Sequence, residues 1–283
     1  MQFGLSMGLC AGEFVEGLKG GDVGEACLSI LDNFIGFARE NGFRIIEVGS
    51  ASLIAADLLF PIAEEIKKRI SKFQLVTYHL PSGEINIAAL HQGIRREAVE
   101  ETKRHILLCQ EIGIDKVVMH PGCFAAMPNI YLLMEREVRE TAKQSVLEIF
   151  EYCRAMNIEL SIENLPRNEP LFQRPEEFEP FIEQGIGMVL DTVHALTSDV
   201  EPFKFITKFG NKIKEVHLTD GFRENPIFHY PIGAGEVNCL AVIKMLEEIE
   251  YKGRIILEVD SKKDFLQSLP YFKDYESIYG AIP

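Results

Sequence analysis

Six short apolar runs in this chain end in a side chain that can hold a proton or a metal ion. They are Leu75-Val-Thr-Tyr-His79, Val-Val-Met-His120, Leu-Ser-Ile-Glu163, Met-Val-Leu-Asp191, Glu-Val-His217 and Ile-Ile-Leu-Glu258. A carboxylate at the end of a buried strand is costly to desolvate unless something positive meets it. Three imidazoles and three carboxylates together suit a divalent transition metal such as Zn, Mn or Co, rather than Ca or Mg, which favour all-oxygen sites. One such ending alone reads as an ordinary hydrogen-bonded strand end, but six in chain order describe one site built from several strand ends. Two further carboxylates stand close to these runs. Glu47 also ends an apolar run, and Asp220 follows His217 closely enough to orient its ring.

The elements that must carry these residues follow from periodicity. Strands are expected at 3–7, 44–48, 74–79, 116–120, 158–163, 187–191, 214–217 and 254–259, each a nearly continuous apolar run, as parallel strands buried on both faces should be. Helices are expected at about 25–42, 57–71, 93–113, 132–156, 176–184, 201–209 and 237–250, with a last one from 262 broken by Pro270. The segment through Gly20, Gly21 and Gly24 and the stretch 219–236 read as loops. Strict β/α alternation over about 280 residues, with every polar ending at a strand's carboxyl end, predicts a (β/α)8 TIM barrel in one domain spanning 1–283. A doubly wound open sheet could use the same alternation, but the barrel brings six strand ends to one mouth.

Composition narrows the function classes. The chain has 283 residues, 47% of them apolar and 25% charged, and a net charge of −14. That balance argues against nonspecific binding to nucleic acid or to an anionic membrane. No apolar run reaches the ~18 to 20 residues of a membrane helix, and no basic, then hydrophobic leader opens the chain. We therefore expect a cytoplasmic protein. Six cysteines without a CxxC pair are expected to be reduced and mostly buried. His91 and His105 lie away from the strand ends and are expected to be structural or solvated.

The motifs His79-Leu-Pro, Met-His120-Pro-Gly, Ile-Glu163-Asn, Leu-Asp191-Thr-Val-His194, Val-His217-Leu-Thr-Asp220, His229-Tyr-Pro-Ile-Gly-Ala-Gly and Leu-Glu258-Val together resemble the xylose isomerase-like barrel superfamily. That superfamily includes endonuclease IV, the ketohexose 3-epimerases and inosose dehydratase. The epimerase resemblance implies one metal held by Glu163, Asp191, His217 and Glu258, with the two glutamates doubling as the proton-transfer pair. It also implies substrate contact at His194 and Arg223. The endonuclease resemblance would add His79, His120, His194 and His229 as ligands, but its further aspartate is replaced here by Ile227. An apolar side chain cannot ligate zinc, so a three-zinc site is doubtful, whereas a second metal bridged by Glu163 stays open.

These implications converge on a metal-dependent sugar or sugar-phosphate isomerase or epimerase. It would pass a proton between Glu163 and Glu258 through a metal-stabilised enediolate. One or two metal ions per chain are expected, with His79 and His120 completing the second site and His194, His229, Arg223 and Glu47 facing substrate. Backbone N–H groups of the loop from Pro231 through Gly233 to Gly235 could hold a phosphate or hydroxyl, or its glycines could only shape the turn. Phe124, Met127, Phe172 and Phe222 stand in loops where either recognition or packing would place them. The alternatives are an endonuclease IV-like phosphoesterase and an inosose dehydratase-like lyase. Homo-oligomerisation is left open.

Overall fold

The computed structural model describes residues 1–10, 12–13, 17, 22–49, 54–123 and 128–272, with backbone only at 128–132 and 226–228. Its ten strands are β1 (Gln2–Ser6), β2 (Ile45–Gly49), β3 (Leu75–His79), β4 (Lys116–Met119), β5 (Glu159–Glu163), β6 (Gly187–Asp191), β7 (Ile213–Leu218), β8 (Asp220–Phe222), β9 (Asn225–Tyr230) and β10 (Arg254–Leu257). Eight of them close into a parallel barrel in the order β1-β10-β7-β6-β5-β4-β3-β2. The remaining two, β8 and β9, pair antiparallel as a hairpin above the barrel.

Each crossover helix forms for a local reason and packs its apolar stripe on the barrel. Helix Val23–Glu40 is capped by Asp22, whose carboxylate accepts the Glu25 N–H at 3.0 Å, and it buries Ile30, Leu31, Phe34, Ile35 and Ala38. Helix Gln92–Ile112 ends at Gly113, whose positive φ of 83° lets the Ile114 N–H turn back to the Cys109 carbonyl at 2.8 Å. The long helix Pro128–Ala155 brings Val138, Ala142, Val146 and Ile149 to the same wall, all of them buried.

Register delivers the polar strand ends to one rim. The β6–β7 ladder shifts between Met188 and Val189, after which Asp191 stands beside His217, and His217 stands beside Ile256 of β10. Side chains alternate along a strand, so Glu163 shares the barrel interior with Ser161 and Glu159, and His217 shares it with Glu215.

The expected strands all appear, although β4 stops one residue before His120 and β10 one before Glu258. One expectation needs correction, and one element was not expected. The stretch 219–236 is no plain loop, since it carries the β8–β9 hairpin. A short helix, Thr192–Thr197, begins directly at Asp191, which caps it through the His194 N–H at 2.6 Å. His105 and His91 agree with the expectation of structural or solvated rings: His105 is fully buried, with Nδ1 2.9 Å from the Tyr78 hydroxyl, and His91 is exposed. Gly20, Gly21, Phe124 and Met127 lie outside the described residues. All six cysteines are free, four of them buried. Among the described residues no helix is long and apolar enough to cross a membrane.

Candidate metal centre

Glu163, only 1% exposed, is the hub of the barrel mouth. Its Oε2 lies 3.3 Å from His79 Nε2, 3.5 Å from His120 Nε2 and 3.3 Å from His217 Nδ1, while its Oε1 lies 3.2 Å from His194 Nδ1. His217 Nδ1 is also 3.1 Å from Glu258 Oε2. Ligand atoms arranged tetrahedrally around an ion at bonds of ~2.0 to 2.2 Å stand roughly 3.3 to 3.6 Å apart. The mouth already has that spacing.

The hydrogen bonds behind each ring decide which nitrogen would be offered to a metal ion. His79 Nδ1 faces the Leu80 carbonyl at 3.0 Å, and a carbonyl only accepts, so Nδ1 carries the hydrogen and Nε2 is left toward Glu163. His194 is fixed in the same way by the Asn164 carbonyl at 2.9 Å, which frees its Nε2. His217 donates from Nε2 to Glu215 Oε1 at 3.2 Å. That leaves His217 Nδ1 buried, without a hydrogen-bond partner, and facing Glu163 and Glu258. His120 Nδ1 is likewise unpartnered, 3.8 Å from an unpartnered oxygen of Glu169. Buried polar atoms are rarely left so, and orphaned nitrogens beside carboxylates have the chemistry of ligands to a divalent cation.

Among the described residues four ligand groups form, each with its atoms within 4.8 Å of one another; one, Glu47, Glu215 and His217, lies beneath the mouth, and three line it: His79, His120 and Glu163; Glu163, Asp191 and His217; and Asp191, His194 and His229. Of the three at the mouth, Glu163 belongs to the first two and Asp191 to the last two. Mixed imidazole and carboxylate ligands suit zinc, manganese or cobalt. Asp191 is held in place by Thr219 Oγ1, which donates to its carboxylate at 3.2 Å. Asn164 accepts the Asp191 N–H at 2.8 Å and donates back to its carbonyl at 3.0 Å.

Electrostatics shows how the site manages its charge when protons alone balance it. Burial pushes the Glu163 carboxyl up, but the His217 and His120 imidazoles reverse this and hold it well below the usual range. Glu258 is likewise opposed by burial yet held down at about 2 by His229 and His217. Against the same burial cost, neighbouring carboxylates raise His120 to about 10 and His194 to about 9. A divalent cation would supply the positive charge those protons supply.

The other expected site residues fall in different places. Glu47 does not face the mouth: it is 2% exposed and lies beneath His217, with Oε2 3.2 Å from His217 Nε2, and burial lifts its carboxyl to about 7. Asp220 does not orient His217. Its carboxylate accepts the N–H groups of Gly221, Gly233, Gly235 and Val237 at 2.8 to 3.0 Å, so the loop amides expected to be open to an anion are taken. A Cβ at Gly235 would run into Asp220 and the Gly221 backbone, which is why glycine stands there. Arg223 is turned to Asp199 Oδ1 at 2.5 Å and the Leu196 carbonyl at 3.1 Å. His229, carried by β9, reaches Glu258 Oε1 at 3.9 Å and Asp260 at 3.8 Å, and Asp260 also accepts the His229 N–H at 3.1 Å. The Ile227 side chain lies outside the described residues. Phe172 is buried against Phe178 and Phe181, whereas Phe222 is half-exposed and stacks edge-on with Tyr230.

Residue patterning left four contributors unassigned: Asn164, Glu169, Glu215 and Asp260. For Glu215 a signal was present, since Glu-Val-His puts it on the same strand face as His217. Glu169 sits in a Pro-rich loop where no periodicity reports direction.

Comparison with known proteins follows this geometry. An uncharacterised protein of Methanocaldococcus jannaschii, MJ1311, is 27% identical over 213 residues, covering 72% of this chain and 70% of its own. Among solved structures, a D-tagatose 3-epimerase-like protein superposes with a TM-score of 0.77 at 24% identity, covering 99% of this chain and 98% of its own. The IolI protein with a bound zinc atom superposes with a TM-score of 0.70 at 13% identity, covering 100% and 98%. At these identities the structural likeness speaks for the fold. Residues 35–275 match the model of a single family, and on that match the chain belongs to the xylose isomerase-like TIM barrel family.

Proposed function

We propose that this protein is a divalent-metal-dependent isomerase or epimerase acting on an unphosphorylated sugar. The observation that carries the reading is the convergence of two carboxylates, Glu163 and Glu258, on His217 Nδ1, the ring nitrogen turned away from Glu215, at 3.3 and 3.1 Å. Glu163 comes from β5 and Glu258 follows β10, and two strands, β6 and β7, separate these in the barrel. The carboxylates thus approach the mouth from different sides, as removal of a proton on one face of a carbon and its return on the other requires. Glu163, Asp191, His217 and Glu258 would hold the ion. When bound, it supplies Lewis-acid polarisation of a substrate carbonyl.

The chain's own groups do the rest. Glu258, with its side chain 16% exposed, has access to substrate, and His229 lies over it from the hairpin. Glu169 and His194 offer an acceptor and a ring beside the His120–Glu163 edge for sugar hydroxyls. Two observations favour a neutral substrate over a phosphorylated one: the amides of Gly233 and Gly235 are committed to Asp220, and the Arg223 guanidinium to Asp199.

The reading is tested by Glu258→Gln in the metal-loaded protein, with unphosphorylated ketoses as substrates. The variant should keep its fold and lose solvent-deuterium incorporation by roughly 100-fold or more. Incorporation at the wild-type rate would refute the assignment.

A second reading rests on the group His79, His120 and Glu163. With a second ion there, bridged by Glu163, the mouth would fit a two-metal phosphoesterase of the endonuclease IV type. Chelator-sensitive cleavage of abasic-site DNA by the purified protein would support it. Expulsion of a neighbouring hydroxyl after the same proton abstraction would make the protein a lyase of the inosose dehydratase type. A dehydrated product formed from an inosose would establish that outcome.

A further inference from the structure

We propose that Glu215, braced by Arg254, is a positioning residue that holds His217 with its Nδ1 lone pair aimed between Glu163 and Glu258. The inference rests on the metal-centre reading above and deepens it.

The tier of side chains beneath the mouth is charged and closed to solvent. Glu215 is 0% exposed and Arg254 8%. The Arg254 Nε donates to Glu215 Oε2 at 2.6 Å, and Glu215 Oε1 accepts from His217 Nε2 at 3.2 Å. A second contact, Arg254 Nη2 to Glu159 Oε1 at 3.6 Å, anchors the guanidinium at the floor of the barrel, and the Tyr251 hydroxyl donates to the Arg254 carbonyl at 3.3 Å. Each link lies on a neighbouring strand position: Arg254 stands beside Glu215 in the β10–β7 register.

His217 Nε2 has one hydrogen to give and two carboxylates within reach, both at 3.2 Å. Only Glu215 meets it with hydrogen-bond geometry, and the facing oxygen of Glu47 is left without a partner. Glu215 is also the one with a cation behind it, which fixes its plane. Among the described residues the other oxygen of Glu47 is met by the Ser6 hydroxyl, at 3.3 Å. Glu215 therefore sets the tautomer, and Glu47 is a bystander. An imidazole that donates to a carboxylate is a better metal ligand at its far nitrogen, and loss of such a partner typically weakens metal binding by roughly 10- to 100-fold.

Co2+ affinity, measured by chelator competition and by the visible spectrum of the bound ion, tests this in the full chain. Glu215→Gln should bind Co2+ roughly 10- to 100-fold more weakly than wild type. It should also shift the His217 Nε2–H proton resonance upfield. Because Glu215→Gln leaves Arg254 buried without its partner, the double variant Glu215→Gln with Arg254→Met removes both charges and avoids that penalty. It should fold as wild type by circular dichroism and show the same weakened affinity. Glu47→Gln should bind Co2+ close to the wild-type level. Wild-type affinity in both Glu215 variants, or a larger loss in Glu47→Gln, would overturn the proposal. Failure of the wild-type protein to take up Co2+ would instead overturn the metal-centre reading and this inference with it.

Discussion

Seen residue by residue, the mouth sets buried carboxylates against imidazoles, and each shifts the other's protonation. His120 and His194 titrate near 10 and 9 because carboxylates face them, well above the ~6.5 of a free imidazole. A histidine whose folded pKa is raised adds stability that is complete below its unfolded value and is lost as pH climbs through the folded one. The metal-free protein should therefore lose stability between about pH 6.5 and 10, read as a falling urea midpoint. A metal must displace those protons, so its uptake should release at least one per ion near pH 7.5. Calorimetry in two buffers of different ionisation enthalpy measures this, and buffer-independent heats would speak against imidazole ligands at the mouth. The convergence of the six strand-end side chains was legible because strand ends place side chains predictably. Glu47, Asp220 and Arg223 were less so, because a carboxylate or guanidinium near the rim can turn to the ion, to a loop or to another side chain, and spacing does not report which.

Among the elements, the barrel strands were readable as apolar runs, and the crossover helices as stripes with caps such as Asp22 and Gly113. The β8–β9 hairpin was not, because Asp220–Phe222 is too short to show alternation and Asn225–Tyr230 contains Pro226, which weakens a strand signal. The hairpin is nevertheless what carries His229 toward Glu258. Its foot is tied by Asp220, which gathers four backbone N–H groups. Replacing a buried carboxylate that serves several donors leaves those donors unpaired. Asp220→Ala should therefore cost roughly 2 to 5 kcal/mol in urea unfolding. It should do so without removing the metal, since its carboxylate points into the 231–237 loop. A variant as stable as wild type would show that the loop holds itself.

For the whole molecule, the (β/α)8 closure makes these local choices converge. Six strands of four to six residues that share no sequence bring three histidines and three carboxylates to one rim, and no open sheet would gather them so tightly. Concentrating that many buried charges is costly unless they are compensated, and a tightly bound ion stabilises the folded state by mass action. The same closure hides the Glu215–Arg254 tier beneath the rim; Glu-Val-His hinted at Glu215, but its pairing with Arg254 crosses between neighbouring strands, which no reading of single strands could reveal. The most direct measurement is the transition-metal content of the protein purified without chelator or metal-affinity tag. The expected result is one or two Zn, Mn or Co ions per chain, removed by chelator and absent from Glu163→Ala. A folded protein that holds none, and takes up none when the ions are offered, would contradict the metal centre.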